Sequence, residues 1–225
     1  MPLLAVPKGK LIAGVGNDKK LIVIEYTGCF CLNVLINNCI SMEELSQKKV
    51  GLFFGSDTGN TEEITQMIKE LWSYTELEVI EACDMTTADY DRFDFIILGL
   101  STWYDGDLQS DFEEFYDQFK TINFAGKTIA MYGLGDQYGY AEYFVDGLGI
   151  LGKEIISNGG KIVGMWPSAG YEFDESKGLY NDELFYGLAL DFENQMELNE
   201  SRIMTWIKQV HHEFRDQIRQ SVAVS

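Results

Sequence analysis

Residues 49–61 read KVGLFFGSDTGNT (Lys49–Thr61), and the fold is decided there. Val50, Leu52, Phe53 and Phe54 make an apolar strand, and Gly55–Thr61 is a short loop of glycine and hydroxyl residues. A helical stripe follows at once, with Ile64, Met67, Ile68, Leu71 and Trp72 spaced i, i+3, i+4, i+7, i+8. A strand–loop–helix of this kind aims backbone N–H groups and the positive end of a helix dipole at one point, which is an anion site. Residues 56–61 contain no Lys or Arg. An anion here would be held by the hydroxyls of Ser56, Thr58 and Thr61 and by backbone N–H groups, without neutralisation, as suits a phosphate kept as an anchor. An ordinary βα turn with a good N-cap has the same local appearance, so the loop needs company to carry the point. A Walker loop is excluded because Gly59 and Asn60 stand where Gly-Lys is required, and G-x-G-x-x-G is absent at this turn.

Outward from this unit, strand and helix alternate. Strands are expected at Lys49–Phe54, Leu77–Ala82, Phe93–Leu100, Thr128–Tyr132 and Lys161–Trp166. Continuous apolar runs at Phe95–Leu98 and Ile129–Tyr132 fit parallel strands covered on both faces. Helical stripes lie between them: Leu108, Phe112, Phe115, Tyr116 and Phe119, then Tyr143, Phe144, Gly147, Leu148, Leu151 and Ile155. The last helix carries Ile203, Trp206, Ile207, Val210, Phe214 and Ile218. The pattern predicts an α/β fold, a doubly wound five-stranded parallel sheet with helices on both faces. Such sheets bind ligands at the carboxyl ends of their strands. Pro167–Leu188, polar and aromatic, breaks the rhythm and reads as a surface insertion at the last strand, since Gly187–Leu190 is apolar again.

Composition bounds the function. The 225 residues are 46% hydrophobic and 13% aromatic, as for a folded chain, with a formal net charge of −19. A surface this acidic repels nucleic acid and anionic lipid and steers basic proteins toward it. The histidines, His211 and His212, stand side by side near the C-terminus, leaving little for a Ser–His–Asp, Cys–His or His-rich metal site. Cys29, Cys31, Cys39 and Cys83 form no C-x-x-C pair and read as core thiols of a reducing compartment. The expected division is 1–47, an N-terminal extension of unknown role, and 48–220, the α/β domain. The extension lacks Arg, could hold a short strand at Leu21–Ile24, and has an uncharged run, Tyr26–Met42, too short to span a bilayer. It reads as disordered or as translation from an over-extended start. No membrane insertion is expected.

Two further loops leave neighbouring strand ends: Ser101-Thr102-Trp103-Tyr104-Asp105-Gly106-Asp107-Leu108, and Gly133-Leu134-Gly135-Asp136-Gln137-Tyr138-Gly139-Tyr140. Each sets a large aromatic near glycine, so one from each could sandwich a flat heterocycle whose phosphate tail reaches Ser56–Thr61. Stacking adds about 0.5–1.5 kcal/mol per aromatic pair, and glycine lets the backbone approach the ring edge.

The motifs GSDTGNT (Gly55–Thr61), STWYDGDLQSDFE (Ser101–Glu113), GLGDQYGYAEYF (Gly133–Phe144) and GLALDFENQ (Gly187–Gln195) together resemble those of the long-chain flavodoxins, over about residues 48–218. The resemblance implies a flavodoxin-like sheet of order 2-1-3-4-5, with the long-chain insertion at the last strand, and a non-covalent FMN. Ser56, Asp57, Thr58, Gly59, Asn60 and Thr61 would wrap its phosphate. Trp103 and Tyr140 would cover the two ring faces, with Ser101, Thr102, Tyr104, Asp105, Gly106, Leu134, Gly135 and Asp136 around its edges. Ser56 stands where Thr is usual, Ser101 where Pro is common, and Leu134 where a small polar residue is common. A carbonyl near Tyr104–Gly106 turning toward the ring would set the gap between the two reduction potentials, and Asp105 beside it bears on that gap.

The implied function is a low-potential one-electron carrier, an electron-transfer flavoprotein and not an enzyme, replacing ferredoxin. Its implied partners are basic redox proteins such as ferredoxin/flavodoxin–NADP reductase, with photosystem I or nitrogenase in some organisms. A monomer of the cytoplasm is expected, or of a plastid in an alga. The alternative is a flavodoxin-like NAD(P)H–quinone reductase, for which no second nucleotide element is visible. A receiver-type signalling domain is set aside, because Gly55-Ser56 and Ser101-Thr102 occupy the places of its acids.

Overall fold

The computed structural model describes residues 8–15, 20–27 and 48–224. The chain divides into two units, Met1–Glu44 and Leu45–Ser225. In the first, β1 (Lys8–Val15) pairs antiparallel with β2 (Lys20–Thr27), from Lys8↔Thr27 to Val15↔Lys20. The strand expected at Leu21–Ile24 falls inside β2; Cys29, Cys31 and Cys39 lie outside the described residues.

The second unit opens with β3 (Lys49–Phe54) and α1 (Asn60–Leu71). Next come β4 (Glu76–Glu81), a 3-10 turn at Ala82–Asp84, and α2 (Thr87–Tyr90), started by a reciprocal Thr86–Asp89 capping box. Then follow β5 (Phe95–Trp103), β6 (Asp107–Leu108), α3 (Ser110–Phe119), β7 (Thr128–Gly135) and α4 (Asp146–Ser157). The chain continues through β8 (Lys161–Val163), β9 (Trp166–Pro167), β10 (Leu179–Asn181), β11 (Leu184–Phe185), β12 (Leu188–Asp191) and α5 (Met196–Val224).

The central strands run β4-β3-β5-β7, all parallel, and the edge beyond β7 is shared. β8 pairs with the start of β7, from Thr128↔Lys161 to Ala130↔Val163, and β12 with its end, from Leu188↔Tyr132 to Asp191↔Gly135. β8 and β12 are thus two halves of one fifth strand, and the order 2-1-3-4-5 is observed. Residues 164–187 leave through the break, where β9, β10 and β11 build a small antiparallel sheet. The strand expected at Lys161–Trp166 stops at Val163 because Gly164 turns at φ +69°, and Trp166 pairs instead with Phe185.

Side-chain alternation divides the core into two layers. From β3, Val50, Leu52 and Phe54 pack with Ile64 and Ile68 of α1 and Trp206 and Phe214 of α5. Phe53 points the other way, toward Phe112 and Phe119 of α3 and Leu148 and Leu151 of α4. Cys83 departs from its expected burial: within the 3-10 turn Ala82 points into the core and the thiol is exposed. Among the described residues, no helix is long and apolar enough to cross a membrane. The consequence for function is that β3, β5, β7 and β12 all end at one rim of the sheet.

Candidate functional site

At the end of β3 the chain has little room. A Cβ on Gly55 would lie 1.9 Å from Oε1 of Gln109, so this position requires glycine. Gly59 turns at φ +94° and caps α1. The Ser56 hydroxyl accepts from Gly59 N at 3.0 Å and Glu62 N at 3.4 Å, closing the loop on itself. Thr61 is buried, and its carbonyl accepts from the Thr65 hydroxyl, which meets the buried Tyr132 hydroxyl at 2.5 Å. These bonds fix the first turn of α1 against β7, where helix geometry leaves the N–H groups of Asn60 and Thr61 without an intrahelical acceptor and so open to an anion.

The Asp57 side chain turns toward α3. Its carboxylate accepts from Gln109 Nε2 at 2.9 Å, from Ser110 N at 3.3 Å and from the Ser110 hydroxyl. Gln109 is fully buried, and its Oε1 also accepts from Phe112 N, capping α3. One amide therefore ties the phosphate-type loop to the next helix.

The second loop forms a narrow hairpin: β5 and β6 pair antiparallel, Trp103↔Asp107, and Gly106 N donates to Trp103 O at 3.0 Å. Tyr104 sits at φ +44°, unusual for a residue with a Cβ, and is 64% exposed; Gly106 has φ +93°. Trp103 Nε1 donates to the Ser101 hydroxyl at 2.8 Å, which sets the indole's orientation.

In the third loop Asp136 holds the turn. Its Oδ1 accepts from Tyr138 N, Gly139 N and Asn194 Nδ2 at 3.0, 2.7 and 2.8 Å. Partial burial opposes its charge, but the bonds from Gly139, Asn194 and Tyr138 outweigh this and hold its carboxyl below the usual range. Tyr140 emerges from this turn 48% exposed.

The three loops surround a cleft of about 220 Å³. Thr58, Asn60 and Thr61 line it at one end, and Ser101, Thr102, Trp103 and Tyr104 along a side. Leu134, Gly135, Asp136 and Tyr140 face it from the third loop. Ser56, Asp57, Gly59, Asp105 and Gly106 shape the loops without lining the cleft. Among the described residues, no Lys or Arg lines it. Among the described residues no group of His, Cys, Asp and Glu is placed to hold a metal.

Sequence reasoning missed Phe192 and Glu193, which line the cleft from the loop after β12. It also missed the buried supports. Asp191 is fully buried and accepts from Gln137 N and Nε2 and from the backbone of Glu193 and Asn194. Gln137 in turn accepts from Glu172 N in the inserted segment at 2.7 Å. The apolar-to-acidic run GLALDFENQ was the available signal.

Comparison with known proteins gives a consistent answer. The family model described as flavodoxin matches residues 52–206. A flavodoxin of Synechocystis sp. is 47% identical over 163 residues, covering 72% of this chain and 95% of that protein. Flavodoxin 1 of Escherichia coli K12 is 44% identical, covering 72% and 93%. Among solved structures, Fusobacterium nucleatum flavodoxin bound to flavin mononucleotide superposes with a TM-score of 0.71 at 28% identity, covering 75% of this chain and 99% of that one.

Proposed function

Because this chain belongs to the flavodoxin family, we propose that its cleft holds FMN without a covalent bond. The residues present fit that group. Two aromatic side chains, Trp103 and Tyr140, face a space whose far end offers the Thr58 and Thr61 hydroxyls and the start of α1. In this reading Ser56, Asp57, Thr58, Gly59, Asn60 and Thr61 form the phosphate loop, Ser56 and Asp57 by shaping it. Ser101, Thr102, Tyr104, Asp105, Gly106, Leu134, Gly135 and Asp136 frame the ring. The observation that carries the proposal is the convergence of three strand-end loops on one cleft that no described Lys or Arg lines.

Bound FMN supplies a ring that takes up electrons, and the protein sets how readily it does so. In the lining, Asp136 and Glu193, within a chain of net charge −19, would place negative charge beside a bound ring. Added negative charge is therefore disfavoured, and the potential is low. The protein is an electron carrier of the flavodoxin type and not an enzyme, so the quinone-reductase alternative is set aside. The insertion that splits the fifth strand supports a place in the long-chain class. We assign the redox function to residues 48–220, which contain every lining residue among those described, and assign 1–47 no role in it. The form assigned is a monomer of the cytoplasm, or of a plastid in an alga.

The exposed acids Asp57, Asp105, Asp107, Glu142 and Glu193 lie on the cleft-bearing loops. They suit docking to basic redox proteins such as a ferredoxin/flavodoxin–NADP reductase, photosystem I or nitrogenase. Association with such a reductase should slow as ionic strength rises; stopped-flow rates indifferent to salt would defeat acidic docking. The flavin assignment is tested by the visible spectrum of the purified protein and by titration of the apoprotein. One FMN per chain is expected. Colourless protein that takes up no added FMN overturns it.

A further inference from the structure

The inserted segment 164–187 reaches back to the Trp103–Gly106 turn through a charged contact. Asp146, the first residue of α4, is 1% exposed; its Oδ1 accepts from Lys177 N at 2.6 Å, and the Lys177 ammonium lies 2.9 Å from its Oδ2. The same Oδ2 abuts the Trp103–Gly106 turn: a Cβ on Gly106 would lie 2.6 Å from it and 3.3 Å from Lys177 Nζ. The surroundings hold this arrangement firmly. Gly147 N donates to the Thr102 hydroxyl at 3.0 Å, bonding the start of α4 to the end of β5. Backbone packs on backbone, since a Cβ on Gly149 would lie 1.7 Å from Lys177 O. Val145, buried and β-branched, is kept at φ +50°, a conformation that persists only where neighbours enforce it.

We propose that Asp146 and Lys177 are a positioning pair that sets the conformation of the Trp103–Gly106 turn and, through it, the spacing of the two reduction potentials of bound FMN. This rests on the flavin reading above. A carboxylate beside Gly106 repels a carbonyl oxygen and attracts an N–H, so its charge biases the peptide between Asp105 and Gly106. Glycine leaves both peptide orientations accessible. The Lys177 ammonium offsets the carboxylate, and removing either partner leaves the other charge uncompensated beside the turn.

The pair could instead be a simple tether for the insertion, and three variants of the full chain separate the two. Lys177→Met and Asp146→Asn should move the equilibrium between the first and second electron in opposite directions by about tenfold each, the order of one uncompensated charge acting on the turn at a protein surface. Lys177→Arg should stay within about twofold of the parent. The Gly106 amide signal in NMR spectra of the apoprotein should move in the first two variants and not in the third. A lowered thermal midpoint with unmoved potentials and an unmoved Gly106 signal, in either charge-removing variant, overturns the proposal. If Lys177→Met fails to fold, the near-isosteric Asp146→Asn decides alone. Failure of the parent protein to bind FMN would sink the flavin reading, while the Gly106 signal would still decide whether the pair positions the turn.

Discussion

The two ends of the cleft are built on opposite plans. At the phosphate-type end the supports are closely bonded: Thr61 is enclosed, Gln109 is fully buried, and the exposed Asp57 and Ser110 and the half-buried Ser56 share their bonds within the loop and α3. At the ring end Tyr104 and Tyr140 are 64% and 48% exposed, and Tyr104 holds a backbone conformation that costs free energy. The first end can grip an anion without rearranging. The second leaves its rings open to solvent and keeps one turn residue in a strained conformation. Binding thus draws on a closely bonded loop at one end, and tuning on an exposed, strained turn at the other.

The sharpest way to break this contrast is to crowd the rigid end. Gly55→Ala places a methyl where Gln109 Oε1 stands, so the buried amide must leave both Asp57 and Phe112 N. Overpacking together with lost buried hydrogen bonds should destabilise the apoprotein by about 3 kcal/mol. Denaturant unfolding checks this, and an unchanged midpoint would mean that Gln109 is no latch. Trp103→Ala acts at the other end and should do the reverse. Losing one stacking face should weaken FMN by roughly 2 kcal/mol, about thirtyfold, while apoprotein stability changes little. Fluorescence titration beside thermal unfolding reads both, and equal losses in the two would erase the distinction between the ends.

This contrast also marks where the sequence was legible. The strand at 49–54, the loop and the amphipathic α1 follow from spacing within two dozen residues; that one aromatic from each further loop is available follows from aromatics beside glycine at strand ends, and the choice of Trp103 and Tyr140 from the resemblance to the flavodoxin motifs. The supports do not. Gln109 meets Asp57 across 52 positions and Gln137 meets Asp191 across 54, so no local pattern announces them. A lone Gln or Asn in a loop reads as solvated surface until the fold encloses it. The broken fifth strand is intermediate. Its second half was visible as the apolar Gly187–Leu190, but the stop at Val163 depends on Gly164 turning over Trp206, 42 residues away. Phe192 and Glu193 were within a recognised motif, yet their facing the cleft follows from β12 pairing with β7.

Ser56→Ala probes the rigid end more gently. It removes the acceptor for Gly59 N and Glu62 N while leaving Thr61 and Gln109 in place. Loss of a helix-start acceptor should cost about 1 kcal/mol in the apoprotein, by denaturant midpoint. A comparable loss in FMN affinity is expected, since the loop that closes on Ser56 is the one that faces the tail. A loss confined to stability would show that this end folds and binds independently.

The smallest effect is expected at the exposed end, and its sign is the informative part. Tyr104 is the exposed residue at φ +44°, and glycine adopts that conformation freely. Relief of the backbone should contribute about 1 kcal/mol, and the added freedom of glycine in the unfolded chain should remove about 0.5 kcal/mol. Tyr104→Gly should therefore raise apoprotein stability by about 0.5 kcal/mol, because the exposed ring has little packing to lose. The same change frees the turn on the ring side, so the spacing of the two reduction potentials should shift although the fold has become more stable. A potentiometric titration set beside an unfolding curve makes the test: a gain in stability with unmoved potentials would show that the turn tunes nothing, and a loss of stability would show that Tyr104 is held by packing and not by strain.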